Sequence, residues 1–328
     1  VRFAVGVNHT PRWHDFDAGT IQADLAGIVG AGITDVRFLV PWDGPPSVLE
    51  QLEAFVGLIA DAGLRCLPSL TCTAGIGNIY SGTLLERQVA FARDAGSRLR
   101  AHPAIVAWDI GHAFTTVSPP PGGKVTSGEH ASEPAAERTL AGWSKSLADA
   151  FRTASGLPAT VGTTSDDLTH DNNVRLATLC VPLSFASIQG SNVSLDFARD
   201  RLDVEGLPFL AMLTAAFSFK PTFVTGFGNP SYPYYTDDEN AAYCTQVLER
   251  LHQDGRLGAY WFTWPGSESS VTAALGAFAQ ERPETVKPRD MPMISSTYYY
   301  RTLPASTQTL YDAFLSFIAD RRRPLMSS

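Results

Sequence analysis

Ala104-Ile105-Val106-Ala107-Trp108-Asp109-Ile110 is an apolar run broken by a single acid, and it ends in Gly111-His112-Ala113-Phe114. A run this short, bounded by His102-Pro103 before and Gly111 after, fits a strand buried on both faces of a parallel sheet. A Pro/Gly-rich segment from Ser118 to Pro134 follows, and the helical spacing of Leu140, Trp143, Leu147 and Phe151 comes next. Strand, loop and amphipathic helix in that order make one βα unit.

The same unit recurs outward in both directions. Before it, strands are expected at Phe3 to Asn8, Asp35 to Val40 and Leu64 to Leu70. Their helices carry Ile21, Leu25 and Ile28 in one case, and Val48, Leu52, Phe55, Val56 and Ile59 in another. Ser47-x-x-Glu50 and Thr83-x-x-Glu86 read as capping boxes opening the second and third helices. After it come Ala159 to Thr163, Leu183 to Gln189, Thr222 to Phe227 and Gly258 to Trp264 as strands. A helix is expected within Val204 to Phe217, another is capped by Thr236-x-x-Glu239, and a last one carries Leu310, Phe314, Phe317 and Ile318. Eight units without an internal linker predict a (β/α)8 TIM barrel, α/β in class, as one domain over residues 1–328. Within it, 115–134 is expected to be a lid or mobile loop over the mouth.

Composition narrows the partners. With 44% hydrophobic and 18% charged residues the chain can bury a sizeable core. Its 25 Lys+Arg against 33 Asp+Glu give a net charge of −8, which disfavours nucleic acid and anionic membrane surfaces. No apolar run reaches the roughly 20 residues of a membrane span, and Arg321-Arg322-Arg323 reads as a solvated helix end. Cys66, Cys72, Cys180 and Cys244 show neither zinc spacing nor a C-x-x-C pair, so buried free thiols are expected. That favours the cytoplasm over secretion, although Val1 in place of Met leaves a removed leader open. No cofactor or metal is implied, and the oligomeric state is not legible.

Several stretches resemble glycoside hydrolase family 5 barrels of the endoglucanase and mannanase type. Trp108-Asp109-Ile110-Gly111-His112-Ala113 is similar to the fourth-strand motif W-D-x-G-N-E-P. Gly6-Val7-Asn8-His9 resembles the G-V-N-Y opening; Phe16-Asp17-Ala18-Gly19 and Val36-Arg37-Phe38 also match, the arginine being one that supports the catalytic carboxylates in the family. The resemblance implies a retaining glycosidase site, which needs two carboxylates about 5–5.5 Å apart at the ends of strands four and seven. Here the acid/base position falls on Ala113 and the nucleophile position on Gly226. The sixth-strand histidine is replaced by Gln189, while the tryptophan that forms the family's sugar platform is kept, at Trp261 by the favoured alignment or at Trp264. Because His112 and Gln189 differ along with the two lost acids, the pattern reads as natural divergence into a pseudoglycosidase.

What remains at the strand ends defines the candidate chemistry. His112, Asp43 and His9 are the candidate catalytic residues, an imidazole being the most versatile acid/base near neutral pH. Trp42, Gln189, Tyr232, Trp261 and Glu268 are the candidate substrate-binding residues. Asp43 precedes Gly44-Pro45-Pro46 and also suits a plain turn, as Asp166 and Asp167 suit a helix cap. Two functions follow: non-hydrolytic cyclisation, isomerisation or elimination on an organic substrate, as in natural-product biosynthesis, or non-catalytic carbohydrate binding. An active glycosidase with a relocated pair such as Asp43 and Glu268 is the third. In each, the partner is a small molecule or saccharide held in the barrel mouth.

Overall fold

A computed structural model describes residues 3–72, 77–117, 133–164, 167–168, 174–190, 204–228 and 235–281. Eight parallel strands close on themselves in chain order: β1 Ala4–His9, β2 Asp35–Pro41, β3 Arg65–Thr71, β4 Trp108–His112, β5 Ala159–Thr164, β6 Ala186–Gln189, β7 Thr222–Phe227 and β8 Gly258–Trp261. Closure is made where β8 pairs β1, from Ala4 opposite Gly258 to Val7 opposite Trp261. The (β/α)8 barrel expected from the sequence is therefore the fold.

The helices are α1 Ala18–Gly30, α2 Val48–Asp61, α3 Gly82–Arg98, α4 Phe114–Val117, α5 Glu133–Ser155, α6 Leu176–Leu179, α7 Gly206–Ser218, α8 Asp237–Gln253 and α9 Ser270–Glu281. The capping box on α8 forms in full, Glu239 N–H bonding to Thr236 Oγ1 and the Glu239 carboxylate receiving Thr236 N–H. The other two expected boxes do not form. Ser47 already has helical dihedrals because the turn starts at Pro45, whose carbonyl accepts from Val48 N–H at 2.9 Å. In α3 the N-cap position is Ser81, which places Thr83 inside the first turn. The α9 helix falls between the eighth strand and the expected last helix, where no element was expected, and the expected helix around Leu310 to Ile318 lies outside the described residues.

Apolar side chains divide into two layers. Ala4, Leu67, Ala107, Phe223, Leu257 and Tyr260 fill the barrel interior, while a larger cluster packs strands against helices. Strand alternation assigns each residue to one layer or the other. On β1, Gly6 and Asn8 face inward, and the residues between them face the helices. Two irregularities alter this parity near the mouth. The register of β4 against β5 shifts between Asp109 and His112, and that of β7 against its neighbours shifts so that Gly226 lies opposite Gln189. Such bulges re-aim side chains, and here the first brings Asp109 and His112, three residues apart, to the same face.

All four cysteines are buried and free. Burial pushes the thiols up, Cys72 to about 11 and Cys180 to about 12, so none is a reactive thiolate. No helix among the described residues is long and apolar enough to cross a membrane.

Candidate active site at the barrel mouth

Arg37 on β2 is the organising charge. It is 1% exposed and sits among polar residues from three other strands, β1, β3 and β4. Its Nη1 donates to Asn8 Oδ1 at 2.8 Å, and its Nη2 is 2.7 Å from Ser69 Oγ, 3.0 Å from Asp109 Oδ2 and 3.0 Å from His112 Nδ1. Asp109 is fully buried and completely paired: Ser69 Oγ donates to Oδ2, and the backbone N–H groups of Gly111 and Gly162 donate to Oδ1. Asn8 completes the ring by donating to the carbonyls of Thr225 and Trp261. A buried ion pair of this kind is tolerated because every lone pair has a donor. Its charge is internally cancelled, so Arg37 and Asp109 together present no net charge to the mouth.

His112 is the outward face of this network. Two donors converge on its Nδ1, Arg37 Nη2 at 3.0 Å and Gln189 Nε2 at 2.9 Å. With both the guanidinium, which has no lone pair to offer, and the Gln189 amide nitrogen read as donors, Nδ1 is the acceptor and the proton resides on Nε2. Burial, reinforced by the Arg37 charge, lowers the imidazole from 6.5 to about 3. His112 is thus a neutral imidazole whose remaining function is an Nε2–H donor. It cannot serve as an imidazolium acid at neutral pH, and its Nδ1 lone pair is occupied.

The two positions singled out as vacated carboxylates lie beside this group. Ala113 directly follows His112, has φ +45 and donates its N–H to the Gly162 carbonyl. Gly226 lies next to Gln189, and the nearest neighbours of a Cβ built there would be Phe262 Cδ2 at 3.4 Å and Gln189 carbons at 3.7 and 3.8 Å. Gly162 is more tightly enclosed: a Cβ would come within 3.1 Å of both Asp109 Oδ2 and Gln189 Nε2. Only glycine lets the β5 backbone close against the network.

The other candidates are dispersed. Gln189 is in place as the second donor to His112. Trp42 is buried, has the Arg87 guanidinium 5.3 Å from its ring centroid, and lines a cavity of about 10 Å³ shared with His112, Phe114 and Trp143. Asp43 sits beside it in the turn after β2, close enough to Cys72 for its charge to raise that thiol. His9 is not at the mouth. Alternation after the inward Asn8 turns it toward the helices, where Nε2 meets Asp24 at 2.9 Å and the ring packs on Phe55 at 5.5 Å.

Trp261 is also displaced from its expected role. Tyr260 fills the barrel interior, so the next residue faces the helix layer; Trp261 is 2% exposed, against the Phe227 ring and the backbone of Gly228. Trp264 packs on Gly27 of α1. The aromatic that reaches Gly226 is Phe262, which no motif in the sequence marks. Glu268 lies in an exposed turn before α9, and the Ser267 next to it approaches Gly27 of α1. Tyr232 and most of 115–134 lie outside the described residues; 115–117 belong to α4 and 133–134 open α5. Asp167 accepts from Thr164 N–H and Oγ1, three residues before it, a bond that runs backward and is not that of the N-cap its context suggested. Asn8, in a glycosylation-like triplet, is buried within the network. No group of three His, Cys, Asp or Glu side chains among the described residues could hold a metal ion.

No protein-family model matches this sequence, and no curated protein matches it either. Solved structures do. The GH5_18 enzyme from Streptomyces cattleya in complex with GlcNAc superimposes with a TM-score of 0.72 at 16% identity, over 88% of this chain and 83% of that one. The GH5_18 enzyme from Bifidobacterium longum subsp. infantis gives 0.72 at 14% identity, over 87% and 80%. The endo-β-1,4-mannanase from Thermotoga petrophila gives 0.64 at 12%, over 87% and 78%. The chain thus shares the barrel of glycoside hydrolase family 5 enzymes.

Proposed function

We propose that this barrel does not hydrolyse glycosides and instead acts at its mouth on a neutral organic molecule carrying an acceptor oxygen, by cyclisation, isomerisation or elimination. Ala113 and Gly226 are taken as the positions that hold the two carboxylates of retaining enzymes with this fold. The observation that carries the proposal is the pair of donors on His112 Nδ1, Arg37 and Gln189. They fix a neutral imidazole with a single outward donor, which suits polarising a carbonyl oxygen and does not suit protonating a glycosidic leaving group.

In this scheme Nε2–H of His112 hydrogen-bonds the substrate oxygen. A base takes the proton from the carbon beside the carbonyl, and the C–H electron pair moves into the enolate that the imidazole N–H stabilises. Reprotonation at another carbon isomerises the substrate; departure of a β-substituent eliminates it; attack of the carbon on a second carbonyl closes a ring. Asp43, next to Trp42 in the turn after β2, is the residue assigned as base.

Carbohydrate binding without chemistry is the second reading, favoured by Phe262 beside the side-chain-free Gly226 and by the saccharide-bound GH5_18 neighbours. One titration separates the two. The ¹⁵N-bonded proton of His112 Nε2 is followed by NMR as aromatic ketones, N-acetylglucosamine and mannobiose are added. A downfield shift with ketones that is abolished in Phe262→Ala supports the first reading. A response to the sugars alone supports the second, and release of nitrophenol from aryl β-glycosides by the wild-type protein overturns both.

A further inference from the structure

Below the mouth, three polar atoms inside the barrel have no protein hydrogen-bond partner among the described residues: Asp35 Oδ1, Arg37 Nε and Tyr260 Oη. All three side chains are at most 1% exposed. The three residues are neighbours across β8, β1 and β2. Gly6 is in register with Asp35 on one side and Tyr260 on the other. A Cβ at Gly6 would lie 2.4 Å from Tyr260 Cδ1 and 2.8 Å from the Asp35 carbonyl, so the phenol ring lies across this glycine toward β2. Arg37 is two residues farther along β2 on the same inward face, with its Nη atoms aimed upward into the network and its Nε left below. The charges of Asp35, Arg65 and Arg37 all act on Tyr260.

We propose that the barrel interior is an internal water-binding site bounded by Asp35, Arg37 and Tyr260. A water there donates to Asp35 Oδ1, accepts from Arg37 Nε–H and exchanges a third hydrogen bond with Tyr260 Oη, the usual valence of a buried water. The charge balance selects a neutral occupant. Asp35 already pairs with Arg65 at 2.8 Å and Arg37 with Asp109 at 3.0 Å, so no uncompensated carboxylate is left to hold a metal ion. An anion would face that carboxylate directly. Burial, with the Asp35 carboxylate second, raises the phenol and keeps it protonated as a hydrogen-bonding hydroxyl. The site ties the floor of the barrel to the mouth: water holds Arg37 at Nε while the same guanidinium holds Asn8, Ser69, Asp109 and His112 from its other nitrogens.

A high-resolution crystal structure of the wild-type protein, with a second from rubidium-soaked crystals, tests this. The expected result is a density peak within hydrogen-bonding distance of all three atoms, without anomalous signal after the soak. In Tyr260→Phe the peak is retained on Asp35 and Arg37, with no hydrogen bond toward the ring. A direct Asp35–Tyr260 hydrogen bond with no peak between them overturns the proposal, as does an anomalous rubidium peak at that position.

Discussion

A neutral His112 is the central physical claim, and acid exposes it. Lowering the imidazole from 6.5 to about 3 disfavours the charged form by about 5 kcal/mol, at about 1.4 kcal/mol per pH unit. In the unfolded chain His112 binds a proton below about pH 6.5; in the folded protein it stays bare down to about pH 3. The unfolded state therefore holds more protons across that window, so stability rises with pH within it. His112 contributes fully above pH 6.5, and its contribution is lost as pH falls toward 3. Between pH 6.5 and pH 5 the loss from this one group is about 2 kcal/mol. Urea unfolding of wild type and His112→Gln at pH 7 and pH 5 measures it, because carboxylates common to both proteins cancel in the difference. The expected outcome is a wild-type decrease larger by about 2 kcal/mol than that of the variant. Parallel ¹⁵N spectra should show Nε2 protonated and Nδ1 unprotonated throughout pH 5 to 8. Identical pH dependence in the two proteins, or an imidazole titrating between 6 and 7, would refute the doubly donated Nδ1.

Removing the Arg37 charge in Arg37→Met leaves Asp109 buried without its counter-ion and should cost about 3–5 kcal/mol in denaturant unfolding. Substituting the two mouth glycines should separate them: Gly226→Ala meets only ordinary van der Waals neighbours and shifts stability by about 0.5 kcal/mol or less, whereas Gly162→Ala presses on Asp109 and Gln189 and costs about 1–3 kcal/mol. Trp261→Ala should act as a core truncation of about 3–5 kcal/mol, while Phe262→Ala leaves thermal stability nearly intact and weakens ligand binding. Asp43→Asn should abolish turnover of a ketone substrate while leaving unchanged the His112 Nε2–H shift on binding it; retained turnover removes Asp43 as the base.

The barrel was legible because its signal is repeated. Each strand is a short apolar run, each helix carries a 3.6-residue stripe, and an error of one or two residues at an end leaves the order intact. Strand β4 begins at Trp108 where the sequence suggested Ala104, yet the cost to the topology is nil. Arg37 was also readable, since a charged residue inside an apolar strand must be paired to be buried, and it is. Its partner Asp109 carries the same signal in the fourth strand and could have been read as structural from composition alone.

The site itself turned on parity, which sequence shows only where strands are regular. His9 follows the inward Asn8 and Trp261 follows the inward Tyr260, so regular alternation sends both to the helix layer; counting residues from a strand end conceals this, whereas pairing each with its neighbour reveals it. The bulge in β4 works in the opposite sense. Without it Asp109 and His112 would point to opposite faces, and the imidazole could not reach Arg37. The alanine that follows His112 is therefore only half of what marks this mouth. The other half is that Gln189 and Arg37 both donate to the same nitrogen, which converts a residue known for moving protons into one that holds its proton fixed. A histidine that shuttles protons commonly has an acceptor at Nδ1, as a carboxylate provides; the two donors here are what the proposed polarisation of a bound oxygen rests on.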